Sequence, residues 1–448
     1  INGLLTLRGG WHKVVNDPIL KFFVIGITAY GMSTFEGPML SVKSVNALAH
    51  YSDWIIAHVH TGALGWNGFI TFGMIYWLLP RLFQAPLYSK RLAELHFWIG
   101  TFGIILYVVS IYSAGVTQGL MWRAFDETGR LMYPDFIETV VRLLPMYWVR
   151  VVGGSLYVVG VFMLAWNIFM TWRARPAVYE VPVIHAAPLT KRWKEPVVAA
   201  PVGEGLIGWV RAMRYHRKWE AMPVTFSVLV TVAVAVASLL EIIPTFLIKA
   251  NVPTIASVKP YTPLELYGRD MYIKEGCFNC HSQMIRPLRY ETERYGEYSK
   301  PGESVYEHPF LWGSKRNGPD LAREGGKYPN LWHVTHFNNP RDIVTGSLMP
   351  SYPHFLTDRI SWSVIQRRVN AMAMLGVPYG DAVTRAESMA RAQAAIVAAD
   401  IEKNGGPANL AEQDIVAIVA YIQRLGQDIK LATAKPTAPA AAVARRTP

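Results

Sequence analysis

With 448 residues, 51 % of them hydrophobic, the chain is too long for one ordinary domain and too apolar for an ordinary soluble enzyme. Its net charge of +12 fits either nucleic-acid binding or basic membrane loops, and the Lys and Arg residues lie beside apolar runs, which disfavours the first. Both of the two cysteines fall within Cys277–His281, which excludes a disulfide framework.

A bilayer span takes roughly 20 apolar residues. Five stretches reach that length: Pro18–Leu40, Trp54–Leu79, Leu95–Thr117, Pro145–Trp172 and Pro223–Ile248. Aromatic residues crowd several ends, as Tyr51 with Trp54, Tyr147 with Trp148 and Trp166 with Trp172 show. Arg8 and Lys13 precede the first span, Arg81, Lys90 and Arg91 follow the second, and a dense basic run from Arg173 to Lys218 follows the fourth. The positive-inside rule makes these loops cytoplasmic, so the chain beyond about residue 250 is expected on the outer side. No charged, cleavable leader precedes the first apolar run, and the chain is expected to start partway into a longer protein.

Beyond Pro260 the sequence turns polar, with helical patterns near Pro263–Gly276 and Leu410–Leu425, as a globular domain requires. The tail from Ala432, rich in Ala and Pro, is expected to be disordered. The expected fold is therefore mainly α: a polytopic transmembrane bundle of five spans followed by a globular domain. Residues 1–172 hold four transmembrane helices, 173–221 a cytoplasmic linker, 222–250 an anchor helix, 251–430 the outer domain and 431–448 the tail.

Cys277, Cys280 and His281 form C-x-x-C-H, the attachment pattern of a covalent haem c. The thiols add to the haem vinyl groups and the histidine reaches the iron. Met349, in Ser347-Leu348-Met349-Pro350, is the expected sixth ligand, since a thioether keeps the potential above that of a bis-histidine haem. Met284, Met372, Met374, His333, His336 and His354 are its rivals. Gly318-Pro319-Asp320-Leu321 resembles the segment that places a proline carbonyl on the proximal imidazole in class I c-type cytochromes. The helix Asp414–Leu425 resembles the one that crosses the N-terminal helix of that fold, so residues 251–430 are expected to be class I cytochrome c-like.

His58 and His60 lie inside the second span, where ionisable groups are costly and mark function. Two residues apart on a helix, they point about 200° away from each other. They therefore cannot share one metal, but each can ligate its own planar cofactor. Two satisfied core histidines are the structural alternative. Glu36, near the outer end of the first span, is placed to accept the second N–H of an axial imidazole or to sit in water at a helix end. His50, Asp53 and Arg123 are candidates for haem propionates or for plain surface charge.

These residues resemble the cbb3-type cytochrome c oxidases, the C family of haem–copper oxidases. His50-Tyr51-Ser52-Asp53-Trp54, His58-Val59-His60, Thr34-Phe35-Glu36-Gly37-Pro38 and Thr117–Arg123 resemble the last four spans of the catalytic subunit. Glu275–Gln283, Ile285-Arg286-Pro287 and the Met349 loop resemble the monohaem subunit. The resemblance implies that His58 binds the iron of a high-spin haem b and His60 that of a low-spin haem b. His58 and Glu36 are then the catalytic candidates, and His281 and Met349 the iron ligands of haem c. It further implies electron flow from a soluble periplasmic cytochrome c through haem c and the haems b to a haem–copper site, reduction of oxygen to water, and proton pumping. Copper is expected from the missing N-terminal part of the catalytic subunit. The expected partners are that part, other oxidase subunits including a dihaem cytochrome c, and membrane lipid, with no nucleic acid. The expected location is the bacterial inner membrane, with the cytochrome domain in the periplasm. The competing readings are a nitric oxide reductase, with non-haem iron in place of copper, and a membrane-anchored electron carrier without catalysis.

Overall fold

The computed structural model describes residues 2–181, 222–248 and 253–433. Residues 182–221 of the expected linker, and the expected disordered tail beyond Thr433, lie outside the described residues. The chain divides into two units, Ile1–Ala177 with Ile255–Pro448, and Val178–Thr254. In the first unit the four N-terminal spans and the C-terminal globular lobe pack as one body. The second holds the helix Pro223–Leu247, whose most apolar window has a mean hydropathy of 2.4. Among the described residues the fold is helical, and β pairing is limited to isolated bridges.

Four helices of the bundle start at a residue whose polar side chain caps them. Asp17 accepts from the Ile19 N–H at 2.9 Å and, with Pro18 in the first turn, opens α1, Pro18–Ser41. Lys43–Ala49 forms the short α2. Ser52 caps α3, Asp53–His60, which runs into a π-helical segment, Thr61–Gly68, and then α4, Phe69–Leu82. Ser89 caps α5, Lys90–Arg123, and Asp135 caps α6, Phe136–Arg173. Four single helices among the described residues are long and apolar enough to cross a membrane: α1, α5, α6 and the Pro223 helix. The second expected span, Trp54–Leu79, is instead a composite, α3–π–α4. Gly62, Gly65 and Gly68 fall within the widened turns. A Cβ on Gly65 would lie 3.0 Å from the Ala29 Cβ, so α1 approaches this stretch closely.

Small residues bring the other helices together as well. Added Cβ atoms on Gly103 of α5 and Gly153 of α6 would each lie less than 3.0 Å from the other helix's backbone. Phe22, Phe69, Phe72, Tyr76, Phe97 and Tyr157 fill the core between α1, α4, α5 and α6.

In the globular lobe, Thr262 and Glu265 cap α7, Pro263–Lys274, reciprocally. Gly276, at φ 70°, ends it in the left-handed conformation and delivers the chain to Cys277. Then follow α8 (Arg289–Tyr295), α9 (Asn330–Asn338), α10 (Trp362–Met374), α11 (Ala382–Lys403) and α12 (Asp414–Arg424). α12 lies across α7, where a Cβ on Gly268 would sit 2.0 Å from the Ala417 carbonyl oxygen. The Tyr272 and Tyr421 rings meet at 5.4 Å beside this crossing.

Candidate functional site

Three histidines share one geometry. His281 Nδ1 lies 2.8 Å from the Pro319 carbonyl oxygen, His58 Nδ1 3.1 Å from Glu36 Oε2, and His60 Nδ1 2.7 Å from the Ile56 carbonyl oxygen. A carbonyl or carboxylate oxygen only accepts, so each Nδ1 is the N–H that donates. That leaves Nε2 as the ring nitrogen available to a metal, the arrangement an Nε2-ligating histidine uses.

His58 and His60 leave α3 towards different neighbours. His58 faces α1, in a cleft lined by Ser33, Thr34, Val59, Gly62, Ala63 and Trp66. Glu36 Oε2 also accepts from the Tyr112 hydroxyl, and its Oε1 accepts from Trp54 Nε1 at 2.6 Å. Glu36 therefore faces the imidazole rather than water. His60 lies against the Tyr107 ring of α5, with centroids 5.3 Å apart, and the Arg150 guanidinium covers that tyrosine and donates to its hydroxyl.

In the lobe, Cys277 and Cys280 are not joined in a disulfide. Burial first and Glu275 second push the Cys277 thiol up to about 12. Burial holds the His281 imidazole below its usual range, the state that ligates iron. Gly318 makes room for it, since a Cβ there would lie 2.3 Å from His281 Cε1. The donor set and this cradle fit a covalent haem. Met349 is half-buried in its loop and packs on the core that also takes in Cys277 and Tyr352. Of its rivals, Met284 turns to a different cluster, around Tyr51 and Trp122, and Met372 is buried within α10 while Met374 is exposed. His354 lies 3.5 Å from Glu275, and burial lowers His333 and His336 to about 4.

The lobe seats on the end of the bundle opposite Arg81 and Lys90. Tyr51, Trp122 and Tyr290 form a shared apolar core there. Arg286 donates to the Asn46 carbonyl at 2.9 Å, and Arg294 to that of Tyr133 at 2.7 Å. Arg286 and Arg316 are buried with Glu291 and Asp320. Burial pushes the Glu291 carboxyl up, but the two guanidinium groups win and hold it below the ordinary range. Of the three propionate candidates, Asp53 is buried and accepts from Gln118 and Tyr147, and His50 stacks on Tyr51. Burial, then Arg286 and Arg316, lower His50 to about 4. Arg123 is exposed at the end of α5.

Sequence reasoning missed Trp54 and Tyr112 around Glu36, the Arg286–Arg316 network, and His96. His96 is fully buried among Phe22, Phe72 and Tyr76, 3.1 Å from the Tyr76 hydroxyl. The spacing of His96 and Gly100 along α5 gives no hint of this, because Gly160, which leaves room for the ring, lies on another helix. Among the described residues no group of three or more His, Cys, Asp or Glu is placed to hold a bare metal ion.

Two family profiles match the chain. "Cytochrome C and Quinol oxidase polypeptide I" covers residues 1–156, and "Cytochrome C oxidase, mono-heme subunit/FixO" covers residues 216–429. A bacteroid cytochrome c oxidase subunit 1 homolog of Bradyrhizobium diazoefficiens is 50 % identical over 184 residues, 41 % of this chain and 33 % of that protein. The cbb3-type cytochrome c oxidase subunit CcoN1 of Stutzerimonas stutzeri is 46 % identical over 185 residues, 40 % of this chain and 38 % of that protein. A nitric oxide reductase component of the same organism is 28 % identical over 166 residues, 36 % of this chain and 33 % of that protein. The chain spans about a third of the length of these relatives.

Proposed function

Since the chain belongs to the cbb3-type cytochrome c oxidases, with a subunit I segment continuous with a monohaem cytochrome c segment, we propose that it carries the haem-ligating core of a respiratory terminal oxidase. The observation that carries this reading is the set of three histidines whose Nδ1 atoms are tied to acceptors. Cys277 and Cys280 would attach haem c, and His281 and Met349 would hold its iron. His60 would hold a low-spin haem b. His58, oriented by Glu36, would hold a high-spin haem b. The bound haems supply one-electron transfer and, with copper held on other helices of the assembled enzyme, reduction of oxygen to water.

The protein's own residues position these groups. Pro319 and Gly318 fix the rotation of the His281 ring, and Glu36, through three donors, fixes that of His58. With His58 and His60 two residues apart on α3 and facing different neighbours, the two haems would lie on opposite sides of one helix. Soluble cytochrome c on the periplasmic side of the bacterial inner membrane is the proposed donor, and a dihaem cytochrome c the proposed partner subunit. The charge pattern of the loops supports that orientation, and proton pumping belongs to the same reading. The identities of 46 % and 50 % against 28 % favour the oxidase over a nitric oxide reductase.

The enzyme purified with its partner subunits tests this. It should oxidise reduced cytochrome c with matching oxygen uptake and show one covalent haem on this chain. Nitric oxide turnover without oxygen uptake, or a chain without covalent haem, would contradict the proposal.

A further inference from the structure

Lys315–Asp320 is bonded on one edge to the loop Cys280–Met284 and on the other to Tyr51, between α2 and α3, and to Tyr147 of α6. On the first edge, the Asn317 and Gly318 N–H groups donate to the Cys280 carbonyl at 2.9 and 3.1 Å, and the Pro319 carbonyl accepts from His281 Nδ1 at 2.8 Å. Asp320 Oδ2 accepts from Ser282 Oγ, the residue after the ligand, at 2.5 Å and from the Met284 N–H at 3.0 Å. On the second edge, the Arg316 N–H donates to the Tyr51 carbonyl at 2.7 Å. The Arg316 guanidinium lies 4.2 Å from the Tyr51 ring centroid, and that of Arg286 lies 5.4 Å from it. Asn317 Nδ2 donates to the Tyr147 hydroxyl at 3.0 Å, which donates in turn to Asp53 Oδ2 at 2.7 Å.

The two edges are separated by almost no chain. Asn317, held by α6, and Pro319, which holds His281, are joined through Gly318 alone. Arg316 is buried, and Tyr51, itself fully buried, is part of what keeps it so. Tyr51 adopts φ 68°, a left-handed conformation that a bulky aromatic residue avoids unless its surroundings enforce it.

We propose that Lys315–Asp320 acts as a strap that couples the seating of the lobe on the bundle to the orientation of the haem c ligand His281. Tyr51 and Tyr147 are then positioning residues for a haem on the far side of the strap, which neither has been placed to touch. If either membrane-side hold is lost, the strap relaxes away from His281 and the Nδ1–H···O bond lengthens. A weaker bond makes the imidazole a poorer donor to iron, which favours the ferrous state and raises the haem c potential.

The inference rests on haem c being attached at Cys277 and Cys280, and the test separates the two. In the assembled enzyme, Tyr147→Phe removes the acceptor for Asn317 but keeps the ring, and Tyr51→Leu removes the aromatic plate from Arg316. The haem c midpoint potential is read at its own α-band, the ferric haem c by its low-spin electron paramagnetic resonance signal, and attachment by haem-stained gel. Both variants should retain covalent haem, raise the haem c potential and alter the anisotropy of the ferric signal. If Tyr51→Leu does not accumulate, Tyr147→Phe decides alone. An unchanged or lowered potential in Tyr147→Phe, with haem attached, overturns the strap. Absence of covalent haem from the wild-type chain sinks the underlying haem assignment instead.

Discussion

Replacing Glu36 with Gln tests the proposed role of the Glu36–His58 bond. Glu36 receives three donors: Trp54 Nε1 at 2.6 Å on Oε1, and His58 Nδ1 at 3.1 Å with the Tyr112 hydroxyl on Oε2. All three neighbours donate, a demand that an acceptor-only carboxylate meets on both oxygens and an amide, with one oxygen, does not. If the Gln oxygen stays on Trp54, its NH₂ group faces the His58 N–H, donor against donor. If it flips, the clash moves to Trp54. Hydrogen bonds to a charged group contribute about 1.5–3 kcal/mol each, so the change is not small. Loss of the partner that orients a metal-bound histidine typically costs about 10–100-fold in metal affinity, or about 1.4–2.8 kcal/mol. The assay is resonance Raman spectroscopy of the reduced high-spin haem, with haem retention measured on the same sample. Glu36→Gln should lower the iron–histidine stretching frequency and release part of that haem. A wild-type frequency and full haem content would show that Glu36 does not tune His58.

Met349→His should keep the haem attached, because the thioethers do not depend on the sixth ligand, while redox titration shows a lower potential and the far-red thioether-to-iron band disappears; survival of both would assign the ligand to another group. Gly268→Ala should destabilise the α7–α12 crossing by several kcal/mol, because the new Cβ would lie 2.0 Å from the Ala417 carbonyl, and thermal unfolding followed at the Soret band measures the loss. His333, lowered from 6.5 to about 4 by burial and then by His336, takes its proton only on unfolding within that window. Its contribution is therefore complete above pH 6.5, falls as pH drops towards 4 and amounts to at most about 3 kcal/mol, so melting temperatures of the lobe in His333→Gln should depend less steeply on pH across this range.

The parts of the fold written in local pattern were legible in the sequence. The apolar runs located α1, α5, α6 and the Pro223 helix, because length and hydropathy depend on composition alone. The C-x-x-C-H stretch pointed to the turn Cys277–His281 as the proposed haem attachment, and the two-residue spacing of His58 and His60 predicted their divergence. The π-helical segment Thr61–Gly68 was not legible, because its glycines are informative only once α1 lies against them. α11 was missed because its buried stripe is almost entirely alanine, Ala386, Ala390, Ala394 and Ala398, which carries little hydrophobic contrast. The partners of Glu36 were illegible for a different reason. Tyr112 comes 76 residues later on another helix, and no periodicity links the two.

In the proposed function, His58 and His60 hold two different haems on opposite faces of one helix. The most direct measurement is the reduced-minus-oxidised and carbon monoxide difference spectra of His58→Ala and His60→Ala, each in the assembled enzyme. His58→Ala should lose the carbon monoxide-reactive haem and keep the low-spin b-type band, His60→Ala should do the reverse, and both should keep haem c. If either substitution leaves both b-type signals intact, or if the two variants lose the same one, the claim is contradicted.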